Sequence, residues 1–123
     1  MARKAFTPPA YAFPAHWAPN DLAFYTGTQF PAKYRGGVFV AFHGSWNRAP
    51  LPQAGYNVTF VPFTNGKPGK YDVFADGFAG KTPLMNPGQA VARPGGLAMG
   101  PDGSLYITED MKGRVWRVMY KGK

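Results

Sequence analysis

The sequence predicts an all-β fold, and three observations carry that reading. Apolar residues alternate with a period of two, no ten-residue segment shows a helical stripe, and glycine and proline cut the chain into short pieces. The 123 residues include 16 glycines and 13 prolines, yet 45% hydrophobic and 16% aromatic content argue against disorder. That length allows one domain with a core that needs no disulfide staple. With no cysteine there is no disulfide framework, no thiol nucleophile and no Cys-ligated zinc, and the redox compartment stays open.

Taken in order, the candidate strands are Leu22 to Tyr25, Val38 to Phe42, Tyr56 to Phe63, Tyr71 to Phe74, Gly96 to Met99, Ser104 to Thr108 and Arg114 to Tyr120. The run Val38–Phe42, entered through Gly36-Gly37, is apolar at every position, as expected of a strand buried on both faces. Asn65-Gly66 suits a turn with positive φ, and Pro101-Asp102-Gly103 places proline first in a tight turn.

Two stretches repeat one pattern. Pro19 to Phe24 lines up with Pro94 to Met99, Gly37 to Val40 with Gly103 to Tyr106, and Tyr56 to Phe63 with Gly113 to Tyr120. A unit of three or four strands over ~40–45 residues has the size of a β-propeller blade. The chain therefore divides into an N-terminal extended segment or outer strand (1–18), a first four-stranded blade (19–80) and an incomplete second blade (81–123). Even four blades of ~40 residues exceed this length, so about two blades are expected, with open faces and edges at both ends.

The formal net charge of +8 invites a nucleic-acid reading. The basic residues are scattered, however, which argues against nucleic acid and for a small anionic ligand. No stretch approaches the ~18 apolar residues of a membrane span, and Pro8, Pro9 and Pro14 interrupt any signal-peptide core. The chain is read as soluble, without membrane partner or export signal, its compartment open.

The run from Pro31 to Arg48, containing His43-Gly-Ser-Trp-Asn-Arg48, then Gly55-Tyr-Asn-Val58, Arg93-Pro94 and Pro101-Asp-Gly-Ser-Leu-Tyr106, resembles the C-terminal third of the glucose/sorbosone dehydrogenase family. That family is similar to soluble quinoprotein sugar dehydrogenases, six-bladed propellers that use pyrroloquinoline quinone (PQQ) and calcium and are commonly exported. The resemblance covers Ala15 to Tyr120 and implies a PQQ-dependent oxidoreductase acting on sugars or aldoses. The N-terminal blades that carry the family's catalytic histidine and most calcium ligands have no counterpart here. Calcium is therefore not expected to be bound by this chain alone, no metal ligand is assigned, and the catalytic residues stay unassigned.

The resemblance makes Arg93 a cofactor-contacting arginine, whose fork suits a carboxylate of the quinone; its alternative is a structural salt bridge or a surface charge. His43, Ser45, Trp46, Asn47 and Arg48 leave a buried strand on a loop where a scaffold presents side chains to a ligand, or where Trp46 plugs the loop itself. His16, pinned between prolines, is a candidate general base or a hydrogen-bonding strut. Asp102, Glu109 and Asp110 are spaced wrongly for a calcium loop and are expected to serve turns. Asn57-Val-Thr59 matches a glycosylation acceptor but falls inside a predicted strand and is read as chance.

Because a two-blade chain cannot close a ring, three copies are expected to assemble a six-bladed homotrimer. Residues 1–13 would lend the missing outer strand to a neighbour, and the three Arg93 side chains would converge near the axis, so that Arg93→Ala abolishes anion binding and leaves the trimer intact or more stable. The second functional reading is a non-catalytic propeller scaffold that binds a small anionic or sugar ligand.

Overall fold

The structure, a computed structural model, describes residues 6–122. Among them the chain is all-β, with single 3₁₀ turns at Ala32–Tyr34 and Pro87–Gln89 as its helical content. Strands β1 (Pro19–Phe24), β2 (Val38–Phe42), β3 (Asn57–Val61) and β6 (Asp72–Ala75) form a four-stranded sheet in that order. A small hairpin of β4 (Phe63–Thr64) and β5 (Lys67–Pro68) is set between β3 and β6 in the chain, and β7 (Pro94–Met99), β8 (Leu105–Glu109) and β9 (Val115–Val118) form a three-stranded sheet. Every pairing is antiparallel.

The strand expected over 56–63 is shorter at both ends. Tyr56 has φ +58°, which no strand residue can hold, and Pro62 has no N–H for the ladder. The hairpin turn falls on Asn65-Gly66, at φ +50° and +75°, as its chemistry requires.

β2 is buried at all five positions because it is covered from two sides. Phe39 and Ala41 face a core shared with Tyr25, Phe30, Val58 and Phe60 of the first sheet and Leu105 and Ile107 of the second. Val38, Val40 and Phe42 face the other way, under Tyr11, Phe13, Trp17, Phe63 and Tyr71. Asp21 ties the sheets by accepting a hydrogen bond from Leu97 N at 2.8 Å, and Tyr25 does so by donating to Gly103 O at 2.9 Å.

Residues 6–18 form no strand, and the aromatic side chains expected to serve a neighbouring copy are used at home. Phe13 meets Phe42 at 4.8 Å between ring centroids, and the Tyr11 hydroxyl accepts from Tyr71 N at 3.0 Å. Both aromatics cover the apolar outer face of the first sheet, and Pro8, Pro9 and Pro14 have no N–H for a ladder. The rest of the proposed arm, residues 1–5, lies outside the described residues. Leu22 and Phe24 on this same face stay more than half exposed.

The second sheet has no counterpart of β6 among the described residues. On β3, its first residue Asn57 and its central residue Thr59 are buried, and Asn57 Oδ1 and Thr59 Oγ1 have no hydrogen-bond partner.

Candidate functional site

The pairings Pro19↔Phe42 and Pro94↔Glu109 put the starts of β1 and β7 and the ends of β2 and β8 at one end of their sheets. Interactions between the sheets show that both ends meet. Arg93, just before β7, donates from Nε to His43 O at 3.0 Å and from Nη2 to Gly44 O at 2.7 Å. Its guanidinium also stands 5.5 Å from the centroid of the Tyr56 ring. Arg93 therefore clasps the loop that leaves β2 through two of its carbonyl oxygens. Neither bond uses Nη1.

The loop is closed at its base by Ser45. Its N–H donates to Ala54 O at 2.8 Å, its hydroxyl donates to Gln53 Oε1 at 2.8 Å, and the same hydroxyl accepts from Ala54 N. The Tyr56 hydroxyl donates to Ser45 O, and burial pushes the Tyr56 phenol up, partly offset by the Arg93 charge. Ser45 is thus a buried brace, whereas Trp46 beside it is 72% exposed. Trp46 is not the plug of its loop.

His43 Nε2 lies 2.9 and 3.0 Å from the carboxylate oxygens of Asp110, on the loop between β8 and β9. A histidine oriented by a carboxylate can hold a proton at a defined nitrogen. His16, Asn47 and Arg48 come together along a second feature, a shallow cleft of about 350 Å³ walled by Pro14 and Leu51. Arg48 uses Nη1 to hold Pro52 O at 2.8 Å.

Backbone strain is concentrated here. His16, Ala18 and Tyr56 hold φ of +65°, +55° and +58°, leaving only Asn65, in its hairpin turn, as another non-glycine residue of that kind among those described. Bonds from His43 N to Ala18 O (2.9 Å) and from Gly44 N to Trp17 O (3.0 Å) hold the strained segment against the β2 loop. Strain that the surroundings enforce clusters at ligand-binding and catalytic sites.

Sequence reasoning missed Tyr56, Gln53 and Asp110. Asp110 and His43 are 67 positions apart, and no local pattern joins them. The expectation that acids serve turns holds for the other two. Glu109, with its side chain fully buried, accepts from the N–H groups of Met111, Lys112 and Arg114 and from Arg114 Nε at 2.9 Å. Burial alone would raise its pKa, but the Arg114 side chain and these backbone donors win and hold it below the ordinary value. Asp102 bonds the Ser104 hydroxyl and N–H and pairs with Arg117, and its pKa is well lowered. Among the described residues no three His, Asp or Glu side chains gather to hold a metal ion, and no helix is long and apolar enough to cross a membrane.

The fold and this rim define an all-β segment of two facing antiparallel sheets whose strand-end loops gather polar side chains at one end. The chain belongs to the TrAA12-like family, whose family model matches residues 1–121. It is 34% identical over 118 residues to an uncharacterized protein of Borreliella burgdorferi and 33% identical over 122 residues to a pyrroloquinoline quinone-dependent pyranose dehydrogenase of Coprinopsis cinerea. These alignments cover 94% and 88% of this chain but only 29% and 16% of the relatives. The calcium structure of the Trichoderma reesei carbohydrate-active enzyme of family AA12 superposes with a TM-score of 0.72 at 24% identity, over 92% of this chain and 27% of that one. A glucose dehydrogenase superposes with a TM-score of 0.63 at 19% identity, over 96% of this chain and 30% of that one. The chain is thus related to a PQQ-dependent pyranose dehydrogenase and spans less than a third of each of these four proteins.

Proposed function

We propose that this chain is a segment or oligomerising subunit of a PQQ-dependent sugar dehydrogenase-like propeller, and that the rim of strand-end loops forms part of its cofactor and sugar site. The convergence of His43, Arg93 and Asp110 from two sheets at one strained rim carries this reading. The residues fit the acidic edge of the quinone: Arg93 Nη1 and the outer nitrogens of Arg48 are donors suited to carboxylates, with Asn47 and His16 beside Arg48. PQQ, when bound, supplies the two-electron acceptor. The protein's own part is to orient that group, and Asp110 keeps the His43 imidazole in one orientation.

Titration of the chain with PQQ and calcium, followed by a dye-linked assay with aldoses, tests the proposal. Saturable PQQ binding that weakens in Arg48→Ala supports it. The absence of binding refutes a cofactor role and leaves the second reading, a scaffold for a small anionic or sugar ligand, which the occupation of two Arg93 donors by carbonyls favours. Assembly is a separate question. Three copies would complete a six-bladed ring, and light scattering that gives 13.4 kDa would exclude the homotrimer.

A further inference from the structure

The backbone on either side of the His43 side chain is held from two directions. Arg93 Nε donates to His43 O at 3.0 Å, and Gly44 N donates to Trp17 O at 3.0 Å. These two groups belong to one trans peptide, in which C=O and N–H point in opposite directions. That peptide plane is therefore gripped at both ends, by a guanidinium of the second sheet and by the segment ahead of β1. His43 N donates to Ala18 O at 2.9 Å, so both planes that meet at the His43 Cα are fixed.

Trp17 O and Ala18 O are successive carbonyls. In a regular strand they would point to opposite edges, and both reach the exit of β2 because Ala18, which lies between their planes, holds φ +55°, with His16 at +65° on the other side of Trp17. A non-glycine residue keeps such a backbone only where its surroundings impose it. The imposing group is the Trp17 ring. It sits behind the first sheet, edge-on to Phe42 at 5.3 Å and to Tyr71 at 5.9 Å between ring centroids, in one cluster with Tyr11 and Phe13. Phe42, wholly buried, is the residue before His43. On the rim side the Trp17 main chain lies against Gly55, where an added Cβ would stand 2.8 Å from Trp17 O. His16, at the start of the same turn, lines the cleft with Asn47 and Arg48.

We propose that Trp17 is a positioning residue of the rim: its ring, anchored behind the first sheet, holds the strained turn of residues 16–18 so that two carbonyls of that turn fix the direction in which the His43 imidazole leaves the backbone toward Asp110. Its meaning for catalysis rests on the reading of the rim as part of a cofactor and sugar site; the positioning itself does not. A Trp17 that only added burial to the outer cluster would make the fold less stable and leave the His43 ring as it is.

The readout is the mobility of that ring. The 123-residue chain has two histidines, so its imidazole signals are readily assigned by NMR relaxation. Without cofactor, the His43 ring of the parent is expected to be as rigid as ordered backbone, with an order parameter of roughly 0.85, and that of Trp17→Ala to fall below about 0.6. Trp17→Phe, which keeps a ring in the cluster, should recover most of the rigidity. Phe60→Leu is the control: it weakens the core on the other face of the sheet and should leave the His43 ring rigid. Should Trp17→Ala not fold, Ala18→Val carries the test, since a β-branched residue resists φ +55° and should free the ring, whereas Ala18→Gly holds that backbone without strain and should keep it. A His43 ring that is mobile in the parent, that stays rigid in Trp17→Ala or Ala18→Val, or that loosens equally in Phe60→Leu overturns the proposal. PQQ titration of the parent judges the cofactor reading separately: absence of binding refutes that reading, and the ring mobility still decides the role of Trp17.

Discussion

Replacing Arg93 by alanine tests whether the two sheets are clasped at the rim as described. The substitution removes two charge-assisted bonds, to His43 O and Gly44 O, and the contact with the Tyr56 ring. Hydrogen bonds to a charged group contribute ~1.5–3 kcal/mol each, and a partly exposed cation–π contact adds ~0.5–1 kcal/mol. Water can reach a half-buried rim and replace part of this, and the contributions are not additive, so the expected loss is about 2–4 kcal/mol. For a domain of this size that lowers Tm by roughly 10 °C. Arg93→Lys should recover less than half of the loss, since an ammonium cannot fork across two carbonyls at fixed geometry. Thermal scans and urea titrations at pH 7 read both values. An Arg93→Ala protein that melts within about 1 °C of the parent would refute the clasp. The sign differs from what the sequence suggests, because repulsion among arginines near an axis would make their removal neutral or favourable.

Gly44, at φ +90°, would place a Cβ 2.4 Å from the Tyr56 ring, so Gly44→Ala should cost about 3 kcal/mol or more, whereas Gly66→Ala, at φ +75° in open space, should cost about 1 kcal/mol; urea midpoints compare the two. Glu109 has a lowered pKa in the folded state, so its stabilisation is complete above the ordinary value near 4.5 and is lost as pH falls below that toward the folded value. Glu109→Gln should therefore destabilise at pH 7 and flatten the acid limb of the stability curve measured between pH 7 and pH ~3, because an amide presents an N–H to a cluster of donors.

Period-two alternation, together with the unbroken apolar run of β2, located seven of the nine strands among the described residues, since their hydrophobic faces are local facts of the sequence. Their limits were set by features of a different kind. Pro62 ends β3 through its missing N–H, and Tyr56 is held at positive φ by a loop whose bracing by Ser45, Gln53 and Ala54 is spatial. The two-residue strands β4 and β5 are too short for any alternation to show, although their turn was legible. At the site, the loop from His43 to Arg48 was visible as a strand exit. The work that Arg93 and Asp110 do there was not, because it depends on how two sheets separated by about fifty or more positions meet. The arm at Tyr11 and Phe13 shows a third limit. Alternating aromatics suggest a donated strand, and that they cover the outer face of their own sheet depends on where that face lies in space.

The buried pair on β3 bears on where this protein can be made. Asn57-Val-Thr59 satisfies the acceptor triplet for N-linked sugar, but in the folded chain its asparagine is buried at the start of β3, opposite Phe42 of β2, and no oligosaccharide could be accommodated. Attachment could occur only before folding, during passage into a eukaryotic secretory compartment, and a chain so marked could not complete its first sheet. Secretion from such a host is therefore expected to divide the product into an unmodified folded fraction and a glycosylated fraction retained unfolded, which gel mobility with and without an endoglycosidase would resolve. Thr59→Val removes the triplet and also the hydroxyl that has no partner, so it should raise the secreted yield and add about 1 kcal/mol of stability in any host.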